Sequence, residues 1–450
     1  MDYKGKKVMV VGMAKSGLAS ARLLLEVGAQ VVLYDMKTAE QFPTGTFDDF
    51  LGRVQMALGA DADAAAKGCD ALVLSPGVPT NLPFITQARA DGKSVIGEIE
   101  LGFLYSQAEF VAITGTNGKT TTTALTGEIF KNAGFVTHVL GNIGIPIAGE
   151  ALNTRKGDIV VAETAALQLD TIETYRPHAC AVLNVTEDHL NRYITMENYT
   201  AAKELIYRNQ TPEDFCVLNY DNAITRAMAG KQKSKVIWFS RKVPLSSGVF
   251  IEEGRIVSKE EDGVHVICRP EEIKIPGSHN LENALAAIAL ARCYGIAETV
   301  LRETLMTFPG VEHRIEFVRE LDGVTYINDS KGTNPDATEK AAEAMTRPTV
   351  LILGGYDKKN SFLSLFQGFG PLIRHVVAIG ATQAKILSDA QAAGFESICT
   401  ADSFEEAVDK ARALAGDGWN VLLSPACASY DMFSDFEQRG RVFKSIVNAF

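Results

Sequence analysis

Short apolar runs closed by glycine, proline or a polar residue alternate along the chain with longer stretches whose apolar residues recur every three or four positions. The runs are "KVMVVG" from residue 7, "QVVLYD" from 30, "ALVLSPG" from 71, "FVAITG" from 110, "DIVVAE" from 158, "ACAVLNV" from 179, "FCVLNY" from 215, "TVLILGG" from 349, "HVVAIG" from 375 and "NVLLSP" from 420. Near-continuous apolar runs are the mark of strands covered on both faces, so the alternation predicts βαβ units and parallel sheets, an α/β fold. "VIGEIELGFLYSQ" reads as a connector, which ends a first domain at residue 98. A second domain spans 99–309 and includes a predicted helix, "NLENALAAIALARCYG", with its glycine at the C-terminal stop. A third spans 310–450. No internal repeat or low-complexity tract is visible, which excludes solenoids and disordered arms.

Length agrees with this division, since 450 residues are roughly three domains' worth. A net charge of −11 excludes a general affinity for nucleic acid or acidic lipid, so any anion must be held locally. The seven cysteines stand singly without a CxxC pair, which argues against a zinc site or a disulfide framework and fits a reducing cytoplasm. No apolar stretch is long enough for a membrane span, and the expected localisation is cytoplasmic.

The strongest local signal is "TGTNGKTT", which follows an apolar strand and opens a helix. There, backbone N–H groups and the helix dipole converge on an anion. Gly115 and Gly118 permit close backbone approach, Lys119 suits the neutralisation of phosphates, and the Thr120 hydroxyl suits Mg²⁺. A strict Walker A pattern wants glycine at 113, where this chain has Ile113. Near the N-terminus "VGMAKSG" and Asp35 approximate a dinucleotide fingerprint, but Ala14 stands where the middle glycine belongs. A plain βαβ turn accounts for that stretch equally well, as it does for the glycine turn "SPGVP" at 75–79.

Glu163 closes an apolar strand and would emerge beside the phosphate loop if the two strands are neighbours, a common place for a Mg²⁺ ligand. His189 follows another buried strand and Lys203 lies in a helical stretch; singly, each is more often structural. Asn280 and Asn283 share a helix face suited to an adenine or ribose, with N-capping as the competing explanation. In the third domain "GVEHRIEFV" carries Arg314, while Asp329, Lys331 and Thr333, then Lys358, and finally Ser429 and Phe436 fall after three separate strands, although scattered surface lysines explain Lys358 and Lys359 equally well. Cations and hydroxyls on several strand ends suggest a substrate cleft.

Taken in order, "GTNGKTT", "GNIG", "NVTEDHLNRY", "AAKELI", "GSHNLENALAA", "EHR", "NDSKGTNPDA", "LGGYDKK" and "LSPACASYDMFSDFEQRG" resemble the Mur ligases of peptidoglycan synthesis, from residue 7 to about 445. The resemblance implies an ATP-dependent amide ligase of three α/β domains: a Rossmann-like N-terminal domain, a central P-loop-type ATPase sheet and a Rossmann-like C-terminal domain. The family's shortened phosphate loop also accounts for Ile113. Within the family it is closest to the branch that joins D-glutamate to UDP-N-acetylmuramoyl-L-alanine (UDP-MurNAc-L-Ala).

Carried over by position, Gly115, Thr116, Asn117, Gly118, Lys119, Thr120 and Thr121 would bind ATP phosphates, with Asn280, Asn283, Arg314, Asp329 and Lys331 on the rest of the nucleotide. Thr120, Glu163, His189 and a carbamylated Lys203 would hold Mg²⁺, two ions in all. The catalytic set is then Lys119, Glu163, His189 and Lys203. Ser16, Asp35, Lys37, Ser75 and Gly77 would contact the uridine nucleotide, Asn142 and Gln168 the acyl end of the acceptor, and Thr333, Lys358, Ser429 and Phe436 the D-glutamate. The expected protein is a monomer whose C-terminal domain closes over both substrates. One departure stands out: "ETAALQLD" has Ala165, Ala166 and Leu167 where the family usually reads Ser-Ser-Phe. Lost hydroxyls should weaken an acceptor contact by on the order of 1 kcal/mol. The rival readings are another amino-acid ligase or a folylpolyglutamate synthetase, an NAD oxidoreductase, and a noncatalytic nucleotide sensor.

Overall fold

The computed structural model describes residues 2–188 and 190–450, and their strands form three sheets. In the first, β1 (Lys7–Val11), β2 (Gln30–Asp35), β3 (Gln55–Leu58), β4 (Ala71–Leu74) and β5 (Ser94–Gly97) run parallel in the order β3-β2-β1-β4-β5. The order reverses direction between β1 and β4. That switch point leaves a crevice at their carboxyl ends, the standard ligand position of an open α/β sheet.

The second sheet contains β6 (Glu109–Thr114), β7 (Thr137–Gly141), β8 (Ile159–Glu163), β9 (Ala179–Val182), β10 (Phe215–Asn219), β11 (Lys235–Ser240), β12 (Gly248–Glu252), β13 (Arg255–Glu260) and β14 (Gly263–Cys268). Their order is β14-β13-β12-β11-β10-β9-β6-β8-β7, parallel except for the two antiparallel pairs at the β14 edge. The third comprises β15 (Glu316–Leu321), β16 (Val324–Asn328), β17 (Thr349–Gly354), β18 (Ile373–Ile379), β19 (Ile398–Thr400) and β20 (Asn420–Leu423), in the order β15-β16-β20-β17-β18-β19. Only β15 is antiparallel there. All ten apolar runs are strands, buried on both faces as their composition requires.

The chain forms two compact units. Residues 1–270 with 283–305 carry the first two sheets, and residues 271–282 with 306–450 carry the third, so the short segment before Asn283 groups with the C-terminal sheet. Within the first unit the connector becomes the helix Glu98–Tyr105, whose buried acids tie it to the second sheet's surroundings. Glu100 accepts from the N–H groups of Glu173, Thr174 and Tyr175 and from the Thr174 hydroxyl, while Glu98 accepts from the Ala148 N–H at 2.8 Å.

Candidate functional site

The central strand β6 ends at Thr114, and the chain then turns through Gly115 to Gly118 into the helix Lys119–Asn132. Gly118 has φ +83°, and a Cβ there would lie 2.2 Å from Asn283 Oδ1, so both backbone sign and space demand glycine. Ile113 is a buried strand residue paired with Glu163, which explains why no loop glycine stands at that position. The Asn184 side chain, unremarked in the sequence, shapes the loop: its Oδ1 accepts from the N–H groups of Thr116 (3.1 Å) and Asn117 (2.9 Å), and its Nδ2 donates to Asn117 O at 3.1 Å. Lys119 Nζ donates to the carbonyls of Gly115 and Thr116 at 2.9 and 2.8 Å. Thr120 and Thr121 are buried in the first turn of the helix.

Strand neighbours bring Glu163 beside this loop. β8 lies against β6 on one side and β7 on the other, with Glu163 level with Ile113 and Gly141. Asn142, just past β7, donates from Nδ2 to Glu163 Oε1 at 2.8 Å and from its N–H to Glu163 O at 2.9 Å. Asn142 therefore holds the acid in place. Glu163 Oε2 is buried with no hydrogen-bond partner among the described residues. Such a carboxylate oxygen suits a cation, because an unpaired buried acceptor is otherwise costly.

Lys203, on the helix Met196–Glu204, reaches the same loop, 1% exposed, and donates from Nζ to Gly115 O at 2.8 Å. Its ammonium position lies 4.4 Å from the Tyr199 ring centroid. Burial holds this amine well below the usual lysine range, the charge of Lys119 lowers it further, and Asp188 pulls the other way. His189 lies outside the described residues. Gln168 accepts the Ala165 N–H at Oε1 (2.9 Å) and so caps the one-turn helix Ala166–Leu169. Ala166 packs into the core with Leu169 and Ile172, so its methyl faces apolar neighbours.

At the N-terminal switch point Asp35 accepts the N–H groups of Met13 (2.9 Å) and Lys37 (3.0 Å), and Ser75 Oγ donates to Gly12 O at 2.7 Å. These bonds join the loops after β1, β2 and β4. Ser16 is half-buried, while Gly77 and Lys37 are exposed. Nearby, the helix Lys15–Glu26 and the segment after β7 enclose a cavity of about 440 Å³ lined by Lys15, Leu18, Arg22, Gly144, Ile145 and Asn153 among others. Arg192 reaches from the second sheet's side to Val78 O at 3.4 Å, beside the "SPGVP" turn, and to Asp170 at 3.5 Å.

In the C-terminal unit the strand ends of β16, β20 and β17 lie side by side. Asp329 is fully buried, accepts from Ser424 Oγ (2.7 Å) and the Ile315 N–H (3.2 Å), and lies 3.6 Å from Arg314 Nη1. Burial raises its carboxyl, and Arg314 opposes the rise. Lys331 Nζ lies 5.1 Å from the Phe436 ring centroid. Ser429 is buried, Thr333 half-buried and Lys358 exposed. Asn280 donates from Nδ2 to Pro276 O at 2.7 Å. Beside it, burial pushes the His279 imidazole down to about 3, reinforced by the charges of Arg314 and Lys340.

Comparison with known proteins agrees with this architecture. Family models match residues 6–97 (Mur ligase MurD-like, N-terminal domain), 113–291 (Mur ligase middle domain) and 313–427 (Mur ligase, glutamate ligase domain). The chain is 46% identical over 447 residues to the UDP-N-acetylmuramoylalanine--D-glutamate ligase of Pelotomaculum thermopropionicum, covering 99% of this chain and 98% of that one. It is 44% identical to the protein of the same name from Clostridioides difficile, covering 100% and 99%. Among solved structures it superposes on the UDP-N-acetylmuramate-alanine ligase of Thermotoga maritima with a TM-score of 0.61 at 21% identity, covering 99% of each chain. The MurF ligase of the same organism, in complex with ADP, gives a TM-score of 0.61 at 16% identity, covering 100% and 96%, a likeness of fold.

Proposed function

Because this chain belongs to the Mur ligase family, we propose that it uses ATP to join D-glutamate to UDP-MurNAc-L-Ala, a step in the synthesis of the peptidoglycan precursor. The observation that carries the reading is the pairing of a phosphate loop with a buried, half-satisfied Glu163 and a buried Lys203 on the same loop carbonyl that Lys119 uses. A nucleotide sensor has no use for that arrangement, whereas phosphoryl transfer needs charge placed where it develops.

Residues 115–121 would bind the ATP phosphates through backbone N–H groups and Lys119, with Asn280, Asn283, Arg314, Asp329 and Lys331 as further nucleotide contacts. Thr120, Glu163, His189 and a carbamylated Lys203 would hold Mg²⁺, which when bound supplies neutralisation of the triphosphate. The depressed basicity of Lys203 supports this assignment, since only the neutral amine attacks CO₂. The nitrogen–carbon bond forms as a proton leaves, and a carboxylate-like ligand replaces a cation. Asn142 would orient Glu163.

The alanyl carboxylate of the acceptor attacks the γ-phosphorus, the bond from that phosphorus to the bridging oxygen breaks, and ADP departs from an acyl phosphate. The uncharged amine of D-glutamate then attacks the acyl carbon, phosphate leaves, and the nitrogen loses its proton to give the amide. Lys119 spreads the charge of the first step. The loops joined by Asp35 and Ser75 would take the uridine nucleotide, and Thr333, Lys358, Ser429 and Phe436 the D-glutamate, whose carboxylates suit cations and hydroxyls. We place the domain boundaries at residues 98 and 309 and the protein in the cytoplasm, as a monomer; no helix among the described residues is long and apolar enough to cross a membrane. Phosphate release that requires ATP, UDP-MurNAc-L-Ala and D-glutamate together tests the proposal. Release independent of the amino acid contradicts it.

A further inference from the structure

We infer that Arg439 is a positioning residue for the amino-acid subsite: it fixes the backbone of the loop that carries Ser429 and thereby orients the groups that receive the incoming amino acid's carboxylates. The inference rests on the reading of this chain as a D-glutamate ligase.

Arg439 sits in the first turn of the helix Phe436–Ala449 and is 1% exposed. Its guanidinium makes four hydrogen bonds, all to uncharged oxygens. Nε donates to Ser330 Oγ (2.9 Å), Nη2 to Ser330 O (2.7 Å) and to Cys427 O (3.1 Å), and Nη1 to Ala428 O (3.3 Å). A buried cation is costly, and solvation by carbonyl dipoles is a weaker return than an ion pair. Shape alone does not demand a cation here. What a planar fork of donors does, and an apolar side chain of equal size does not, is fix the direction of several peptide planes at once.

The planes it fixes belong to the cleft. Ser330 lies between Asp329 and Lys331 in the loop after β16, and Cys427 and Ala428 precede Ser429 in the loop after β20. The third strand-end loop joins them: the Tyr356 N–H, after β17, donates to Ala428 O at 2.9 Å. A Cβ on Gly355 would lie 2.4 Å from that same oxygen and 3.3 Å from Arg439 Nη1. In a planar trans peptide the C=O and the next residue's N–H point opposite ways. With the Cys427 and Ala428 carbonyls drawn to the guanidinium, the N–H groups of Ala428 and Ser429 turn away from it. Ala426, at φ +55°, provides the left-handed residue that lets the loop reverse. Successive N–H groups beside such a residue form the concavity that binds anions.

The test is steady-state kinetics of Arg439→Lys, which keeps the charge and loses the fork, beside wild type. Wild-type amide synthesis from D-glutamate checks the parent reading first; its absence sinks that reading, not this one. Given an active wild type, we expect Arg439→Lys to raise KM for D-glutamate about tenfold or more, as lost charge-assisted hydrogen bonds would, with KM for UDP-MurNAc-L-Ala within about twofold and a smaller rise in KM for ATP, because Ser330 sits between the nucleotide contacts Asp329 and Lys331. Ser330→Ala, which removes one of the acceptors without touching the charge, should show a smaller rise in KM for D-glutamate with KM for UDP-MurNAc-L-Ala unchanged, and it is the variant to measure if Arg439→Lys does not fold. An unchanged KM for D-glutamate, or an equal loss of affinity for all three substrates, overturns the inference.

Discussion

At the residue scale the proposed chemistry turns on Lys203. A lysine packed against a ring and a carbonyl, next to a second lysine, is held where the neutral amine is accessible. Lys203→Ala should lower kcat by about 100-fold or more, the upper range for loss of support to a metal site, and short carboxylic acids should restore part of the activity by standing in for the carbamate. Full activity in the unsupplemented variant would refute the assignment. Lys119 and Glu163 stand out in the sequence because each ends or follows an apolar strand at or beside a glycine loop, whereas Lys203 enters only through the family resemblance; the structure brings all three to one loop. Asn184 and Arg439 do not stand out, although both lie in quoted segments: their partners are backbone groups supplied by distant loops, and no local spacing encodes those. Asn142, which the family resemblance assigns to substrate, hydrogen-bonds Glu163.

At the element scale two features make sharp predictions. A Cβ on Gly17 would lie 1.8 Å from Gly12 O, so the helix Lys15–Glu26 packs on β1 only because that glycine has no side chain. Gly17→Ala should destabilise the protein by about 1–3 kcal/mol through overpacking and raise KM for UDP-MurNAc-L-Ala; unchanged thermal midpoint and KM would contradict the packing argument. Glu98, at the start of the helix Glu98–Tyr105, has its carboxyl pushed up to about 7 by burial, against hydrogen bonds from Ala148 and Ile147. Between the ordinary carboxyl range and that value the folded state keeps a proton that the unfolded chain releases. Stability contributed there is present at low pH and declines as pH rises through the window, on the order of 3 kcal/mol in total. Between about pH 5 and about pH 8, Glu98→Gln should lose less stability than wild type, read as apparent thermal midpoints. Equal losses would show that Glu98 is not the group involved.

Legibility also varied by element. The ten apolar runs announced strands because a strand covered on both faces leaves no polar position to confuse the reading. The β13–β14 hairpin and β15 went unseen since they interleave charge with apolar residues, as in "RIVSKE" and "EFVREL", and leave no continuous apolar run. The connector turned out to end β5 and form a whole helix, because Glu98 and Glu100 find buried backbone donors that composition cannot reveal.

For the whole molecule, a net charge of −11 and a site built of locally placed cations fit an enzyme that collects polyanionic substrates through specific loops rather than through a general field. Fold class and family were legible from end to end because most motifs, the phosphate loop and the turns after β7, β9, β16, β17 and β20 among them, follow parallel strands, where topology places ligands regardless of loop detail. The most direct measurement of the central claim is inorganic phosphate and amide product released together from ATP, UDP-MurNAc-L-Ala and either D- or L-glutamate. The account predicts equal amounts of phosphate and amide with the D-isomer, and little of either with the L-isomer or without an amino acid. Phosphate release at the same rate with both isomers, or without amide formation, would contradict it.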